Sequence, residues 1–246
     1  MTTVAVSLKM YFGTARAQAY CAALASLAAR HPDVASGATE LVVLPSFVSI
    51  PAALSAAGNT RLRVGAQDLA TEDAGAFTGE VSGAELAELG VTHVEVGHAE
   101  RRQLFGEDDA VVRAKTTAAL RNGLVPLLCV GESSRVDPPA AAAVVVDQVA
   151  SAIPDGSGQQ VLVAYEPVWA IGADEPAPHA YTAAVCHAVR AALGERLGDF
   201  GIVYGGSAGP GLVAALGDSV DGLFLGRFAH DPSAVETVLD ELTATR

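Results

Sequence analysis

Positive charge is scarce in this sequence: 15 lysines and arginines stand against 28 aspartates and glutamates, a formal net charge of -13. A surface of that sign repels phosphate backbones and anionic headgroups, which argues against nucleic acid or a membrane as a partner. An anionic small molecule would need a local positive site. Cysteine is scarce as well. Cys21, Cys129 and Cys186 are odd in number, far apart and set in apolar surroundings, which suits buried thiols in a reducing compartment. No metal-ligand spacing joins them, and neither a metal nor another cofactor is expected. A charged N-terminal region followed by a long apolar run is also lacking, so neither a signal peptide nor a membrane span is expected, and cytoplasm is the default.

What the chain has is apolar material. Half of its residues are hydrophobic and only 17% are charged, with no window depleted enough to read as disordered. Its 246 residues fit one α/β domain spanning 1–246. Short runs rich in Val, Leu and Ile recur at Val4 to Leu8, Leu41 to Leu44, Leu62 to Ala66, His93 to Gly97, Val125 to Val130, Val161 to Tyr165, Ile202 to Tyr204 and Gly222 to Leu225. Between them lie helix-like stretches such as Ala15 to Ala29, Asp109 to Asn122, Ala140 to Ala150 and Tyr181 to Leu193. Continuous apolar strands alternating with helices indicate a parallel sheet buried on both faces. Eight such units favour a closed (β/α)8 barrel over an open doubly wound sheet. The polar residues agree, since Lys9, Gln67, His98, Glu132, Glu166, Gly205 and Gly226 follow many different strands instead of gathering at one switch point.

Five of these strand ends suggest chemistry. His98, in Gly97-His98-Ala99-Glu100-Arg101-Arg102, opens a short helical turn whose N–H groups favour a neutral imidazole, able to donate a hydrogen bond to a carbonyl; a structural, locally capped histidine is the competing reading. Glu166 ends the sixth strand and enters the apolar loop Pro167-Val168-Trp169-Ala170-Ile171-Gly172, which reads as a lid. A carboxylate enclosed there loses water, becomes more basic and can take a proton from carbon next to a carbonyl. The glycines of Tyr204 to Gly209 and Gly222 to Arg227 let backbone N–H groups approach a phosphate. No glycines there follow the dinucleotide spacing. Lys9 ends the first strand on the same rim and supplies the cation that an acidic protein needs beside an anionic substrate.

Lys9-Met10, Gly65-Ala66-Gln67, Gly75 to Glu80, Gly97-His98, Glu100-Arg101-Arg102, Cys129 to Glu132, Ala164 to Gly172, Tyr204 to Ser207 and Asp221-Gly222 together resemble the triosephosphate isomerase family, in order and across nearly the whole chain. The resemblance implies a TIM barrel with a closed, parallel, eight-stranded sheet, and an aldose-ketose isomerase working through an enediolate. It implies Glu166 as base, His98 as neutral electrophile and Lys9 as the electrostatic partner of the oxyanion, with Glu100 beside them. It further implies Ser7, Gly172, Ser207, Gly226 and Arg227 around the substrate and its phosphate, Tyr204 and Ser207 holding the lid, and Thr78 on a loop that enters the partner's site in a homodimer.

Several positions depart from the family pattern: Ser7 for asparagine, Ala99 for serine, Asp68 for asparagine, Arg227 for glycine, and an atypical far lid hinge at Ala173-Asp174-Glu175. Arg227 either contacts phosphate with its guanidinium or points outward. Dihydroxyacetone phosphate and glyceraldehyde 3-phosphate are placed slightly ahead as substrates. A branch of the family that converts L-erythrulose 1-phosphate to D-erythrulose 4-phosphate is the alternative, since Ser7 and Arg227 suit an extra hydroxymethyl. A non-catalytic sugar-phosphate-binding barrel is the reading from another class. Glu95, inside the fourth strand, is expected to form a buried structural ion pair.

Overall fold

The computed structural model describes residues 2–154, 160–172, 176–197 and 200–245. Among them, eight strands form one closed parallel barrel in sequence order. These are β1 (Thr2–Ser7), β2 (Thr39–Leu44), β3 (Leu62–Ala66), β4 (His93–Val96), β5 (Val125–Val130), β6 (Leu162–Tyr165), β7 (Gly201–Tyr204) and β8 (Gly222–Leu225). The ring is closed by β1 on β8, with Thr3 beside Gly222 and Val6 beside Leu225. Gly222 holds φ +151, and a Cβ there would sit 1.8 Å from the Thr3 carbonyl oxygen, so only glycine permits the seam.

Strand alternation sorts the side chains into two apolar bodies. Ala5, Val42, Leu44, Leu127, Cys129, Leu162, Ala164, Val203 and Phe224 fill the barrel interior. Their neighbours, including Val4, Val6, Val94, Val96 and Val163, face outward into a larger layer shared with the helices. The same alternation turns Ser7 inward beside Ala5, and Glu95 inward between Val94 and Val96.

The helical stretches appear where periodicity placed them, three with longer ends and one, begun at Asp109, ending a residue earlier. The first helix runs Thr14–Arg30, and others run Asp109–Arg121, Pro138–Ala152 and His179–Leu197. Asp137 accepts from the Ala140 N–H and Pro138 occupies the first turn, which starts that helix two residues before the apolar run suggests. Strands β1 and β2 likewise begin earlier, because Thr2 and Thr3 pair in register with Thr39 and Glu40. All three cysteines are buried and free. Among the described residues no helix is long and apolar enough to cross a membrane.

Candidate active site

Parallel strands deliver all eight C-terminal ends to one rim, where a cavity of about 250 Å³ opens. Its lining includes Ser7, Lys9, His98, Glu100, Glu166, Gly172, Ser207, Gly226 and Arg227. These are all of the residues that the sequence put forward for catalysis and phosphate binding. Ile171 lines the cavity from the lid.

Glu166 follows β6 and is only 6% exposed. Its carboxylate lies against Gly205, where a Cβ would approach the Glu166 side chain to 2.6 Å, so the glycine after β7 makes room for the acid. Burial pushes this carboxyl above the usual carboxylate range, against the pull of His98 and Lys9. Its Oε2 is buried, has no hydrogen-bond partner among the described residues, and lies 3.7 Å from His98 Nε2. Desolvation also raises the Cys129 thiol well above its ordinary value, which leaves Cys129 protonated packing beside Glu166.

His98 caps the helix Ala99–Phe105, and its Nδ1 accepts the Glu100 N–H at 3.1 Å. An accepting Nδ1 requires the neutral ring with its proton on Nε2, the nitrogen that faces Glu166. Lys9 adopts a left-handed φ of +47 and is pinned there by Gln67 Nε2, which donates to both the Lys9 and Leu44 carbonyls at 3.1 and 2.8 Å. Lys9 Nζ meets Glu100 Oε1 at 2.7 Å. Desolvation of this ammonium is outweighed by Glu100, Glu166 and Glu95, leaving its pKa raised and the cation secure.

The lid residues Val168–Ala170 form a 3-10 turn. Trp169 is half-buried, packs edge-on against Tyr181 and donates its indole N–H to Glu132 at 2.7 Å. Ser207 Oγ donates to the Ala170 carbonyl at 3.0 Å, and Tyr204 Oη accepts the Ala177 N–H at 3.1 Å. Both residues suggested as holding the lid therefore touch the segment or its continuation. The hinge at Ala173-Asp174-Glu175 lies outside the described residues. Arg227 lines the cavity, with Nη2 about 4.0 Å from where a side chain on Gly172 would begin. The guanidinium thus reaches toward the lid residue Gly172, while Arg227 as a whole stays exposed.

Asp68, one of the departures from the family pattern, is bound to Lys115 at 2.6 Å and Arg101 at 2.9 Å, in a network completed by Glu107. One expectation needs correction. Glu95 has no lysine or arginine partner among the described ion pairs. It accepts the Ser7 hydroxyl at 3.0 Å, and its other oxygen lies 3.9 Å from His98 Nε2. The anchoring role of Glu132, which also accepts from Tyr165 and Tyr181, was not anticipated, although its place after β5 marked it as polar at a strand end.

Thr78 is not among the residues lining its own chain's cavity and sits on a loop whose residues 72–80 are all exposed although it carries Phe77. The loop is closed at its base by Ala70 N–H to the Val81 carbonyl at 2.8 Å. Beside the catalytic cavity lies a second one, of about 360 Å³, lined in part by Met10, Phe47, Leu104 and Phe105. Met10, Leu104 and Phe105 are 94%, 70% and 67% exposed.

Residues 2–242 match the family model for triosephosphate isomerase. The L-erythrulose-1-phosphate isomerase of Pectobacterium atrosepticum is 48% identical over 245 residues, covering 97% of this chain and 95% of that protein. The triosephosphate isomerase of Moorella thermoacetica is 41% identical over 219 residues, covering 85% of this chain and 88% of the other. The crystal structure of triosephosphate isomerase from Bartonella henselae superposes with a TM-score of 0.84 at 29% identity, over 98% of this chain and 99% of that one.

Proposed function

The chain belongs to the triosephosphate isomerase family, and from that membership we propose that this isomerase interconverts L-erythrulose 1-phosphate and D-erythrulose 4-phosphate. The observation that carries the choice is the 48% identity to an L-erythrulose-1-phosphate isomerase across nearly the full length of both chains. The short Ser7 in the cavity wall supports it.

The chemistry follows from the cavity. Glu166, desolvated and with Oε2 free, removes the proton from the carbinol carbon next to the ketone. His98 Nε2–H and the Lys9 ammonium stabilise the oxyanion of the resulting enediolate. Glu166 then returns the proton to the neighbouring carbon, while His98 passes a proton between the two oxygens. The carbonyl moves by one carbon, with no net change in oxidation state. Phosphate is held by N–H groups of Gly172, Ser207 and Gly226 and by the Arg227 guanidinium. The lid from Pro167 to Ile171 shuts water out, which protects an enediolate that would otherwise expel its phosphate.

A homodimer completes this picture. The exposed loop 72–80, carrying Thr78 and Phe77, has the apolar tip that the cavity walled by Met10, Phe47, Leu104 and Phe105 of a second copy would cover. A cytoplasmic setting suits three free buried thiols.

The test is a side-by-side measurement of kcat/KM on L-erythrulose 1-phosphate and dihydroxyacetone phosphate. A larger value on the four-carbon ester is expected. A larger value on the three-carbon ester would instead favour dihydroxyacetone phosphate and glyceraldehyde 3-phosphate, the reading supported by the retained Lys9, His98 and Glu166 and by the 41% identical triosephosphate isomerase.

A further inference from the structure

The carboxylate of Glu95 is an acidic group close to the catalytic residues that the proposed chemistry leaves without a task. It enters the barrel interior from β4, is 3% exposed, and takes the hydroxyl of Ser7, which reaches it across the barrel from β1. A buried carboxyl is costly to keep, and a single hydroxyl repays only part of that cost. Burial and the nearby charge of Glu166 push its pKa up to about 7, with His98 opposing.

Its position joins two spaces. Ser7, Lys9, His98 and Glu100 line the catalytic cavity and also the neighbouring cavity of about 360 Å³, and Glu95 lines only the second. Ser7 therefore stands at the junction, where a longer side chain would fill the passage. A four-carbon ketose phosphate differs from its three-carbon counterpart at one place: the carbon that loses its proton carries a hydroxymethyl in place of a hydrogen. That group must fit beside the carbonyl held by His98 and Lys9, and its hydroxyl needs a buried partner.

We propose that Glu95, oriented by Ser7, receives the terminal hydroxymethyl of the substrate and is the specificity-determining residue for four-carbon over three-carbon esters. This rests on the four-carbon reading above. The hydroxyl donates to the carboxyl of Glu95, while the chain end occupies the inner part of the second cavity. A site built around such a hydroxyl binds the shorter ester less well because it leaves a buried polar group without its partner.

The experiment measures kcat and KM on L-erythrulose 1-phosphate and dihydroxyacetone phosphate for the wild type, Glu95→Leu and Glu95→Asp. Glu95→Leu is expected to lower the four-carbon to three-carbon ratio of kcat/KM by about 10- to 100-fold, chiefly through KM on the four-carbon ester, because the contact is made before and during reaction. Glu95→Asp keeps the charge but withdraws it by one methylene, and about a 10-fold drop in the ratio is expected. It also carries the test if the leucine variant does not fold. Equal losses on both esters, or an unchanged ratio in a folded variant, would overturn the assignment while leaving the four-carbon function standing. A wild type that turns over only the three-carbon ester would overturn both.

Discussion

The two halves of the barrel rim differ in kind. The half built by β6, β7 and β8 brings Glu166, the lid, Gly205, Ser207 and Gly226 together through glycine turns and backbone groups. Its departure from the family pattern, Arg227, adds a cation that reaches toward Gly172. The half built by β1 and β4 works through side chains that cross the interior, with Ser7 on Glu95, His98 between two carboxylates, and Lys9 on Glu100. Backbone recognition suits a phosphate, which every substrate of such a barrel shares. Side-chain recognition suits the carbon end, where substrates differ.

That contrast can be broken at several points. Glu166→Gln should lower kcat by about 10³-fold on either ester, because the base serves any substrate, while affinity for inorganic phosphate stays within about threefold; steady-state kinetics and a phosphate titration check this. Diluting the enzyme until gel filtration shows monomers should reduce activity by about 100-fold, since Thr78 is then absent from the neighbouring site; a fully active monomer would remove the partner's loop from the picture. Arg227→Gly should raise KM about 10-fold for both esters alike, because it acts on the phosphate they share. If it changed the ratio between the esters instead, the division between the two halves would fail.

The smallest effect concerns stability. Glu95 titrates at about 7 in the fold against an ordinary 4.5, so the folded chain holds the extra proton between those values. Stability should therefore fall as pH rises from about 4.5 to about 7, by about 3 kcal/mol at most from this group. Denaturant melts of the wild type and Glu95→Gln across that range measure it. The variant should lose this part of the slope, and identical slopes would show that Glu95 does not titrate there.

Much of this was legible in the sequence because the informative signals were local. Eight apolar runs announced the strands, and polar residues placed just after them announced the rim. Strand starts were less legible: Thr2, Thr3, Thr39 and Glu40 carry no apolar signal and join the sheet through register, with each other and, for Thr3, with Gly222. In the site, His98, Glu166 and Lys9 could be named from strand ends alone. The Ser7 to Glu95 contact could not, since the two residues lie 88 positions apart and meet only when the barrel closes. The partners of Asp68 were hidden for the same reason, because Lys115 and Arg101 come from later segments.

Proton transfer through carbon is the claim beneath both halves of the rim, and one measurement reaches it directly. L-erythrulose 1-phosphate is held with the enzyme in D2O until the two isomers equilibrate, and the carbinol hydrogens next to each carbonyl are followed by NMR over many turnovers. The expected result is their replacement by deuterium in both isomers, at a rate that collapses in Glu166→Gln. Interconversion and deuterium uptake at an undiminished rate in Glu166→Gln would mean that another group moves that proton, and would contradict the role given to Glu166.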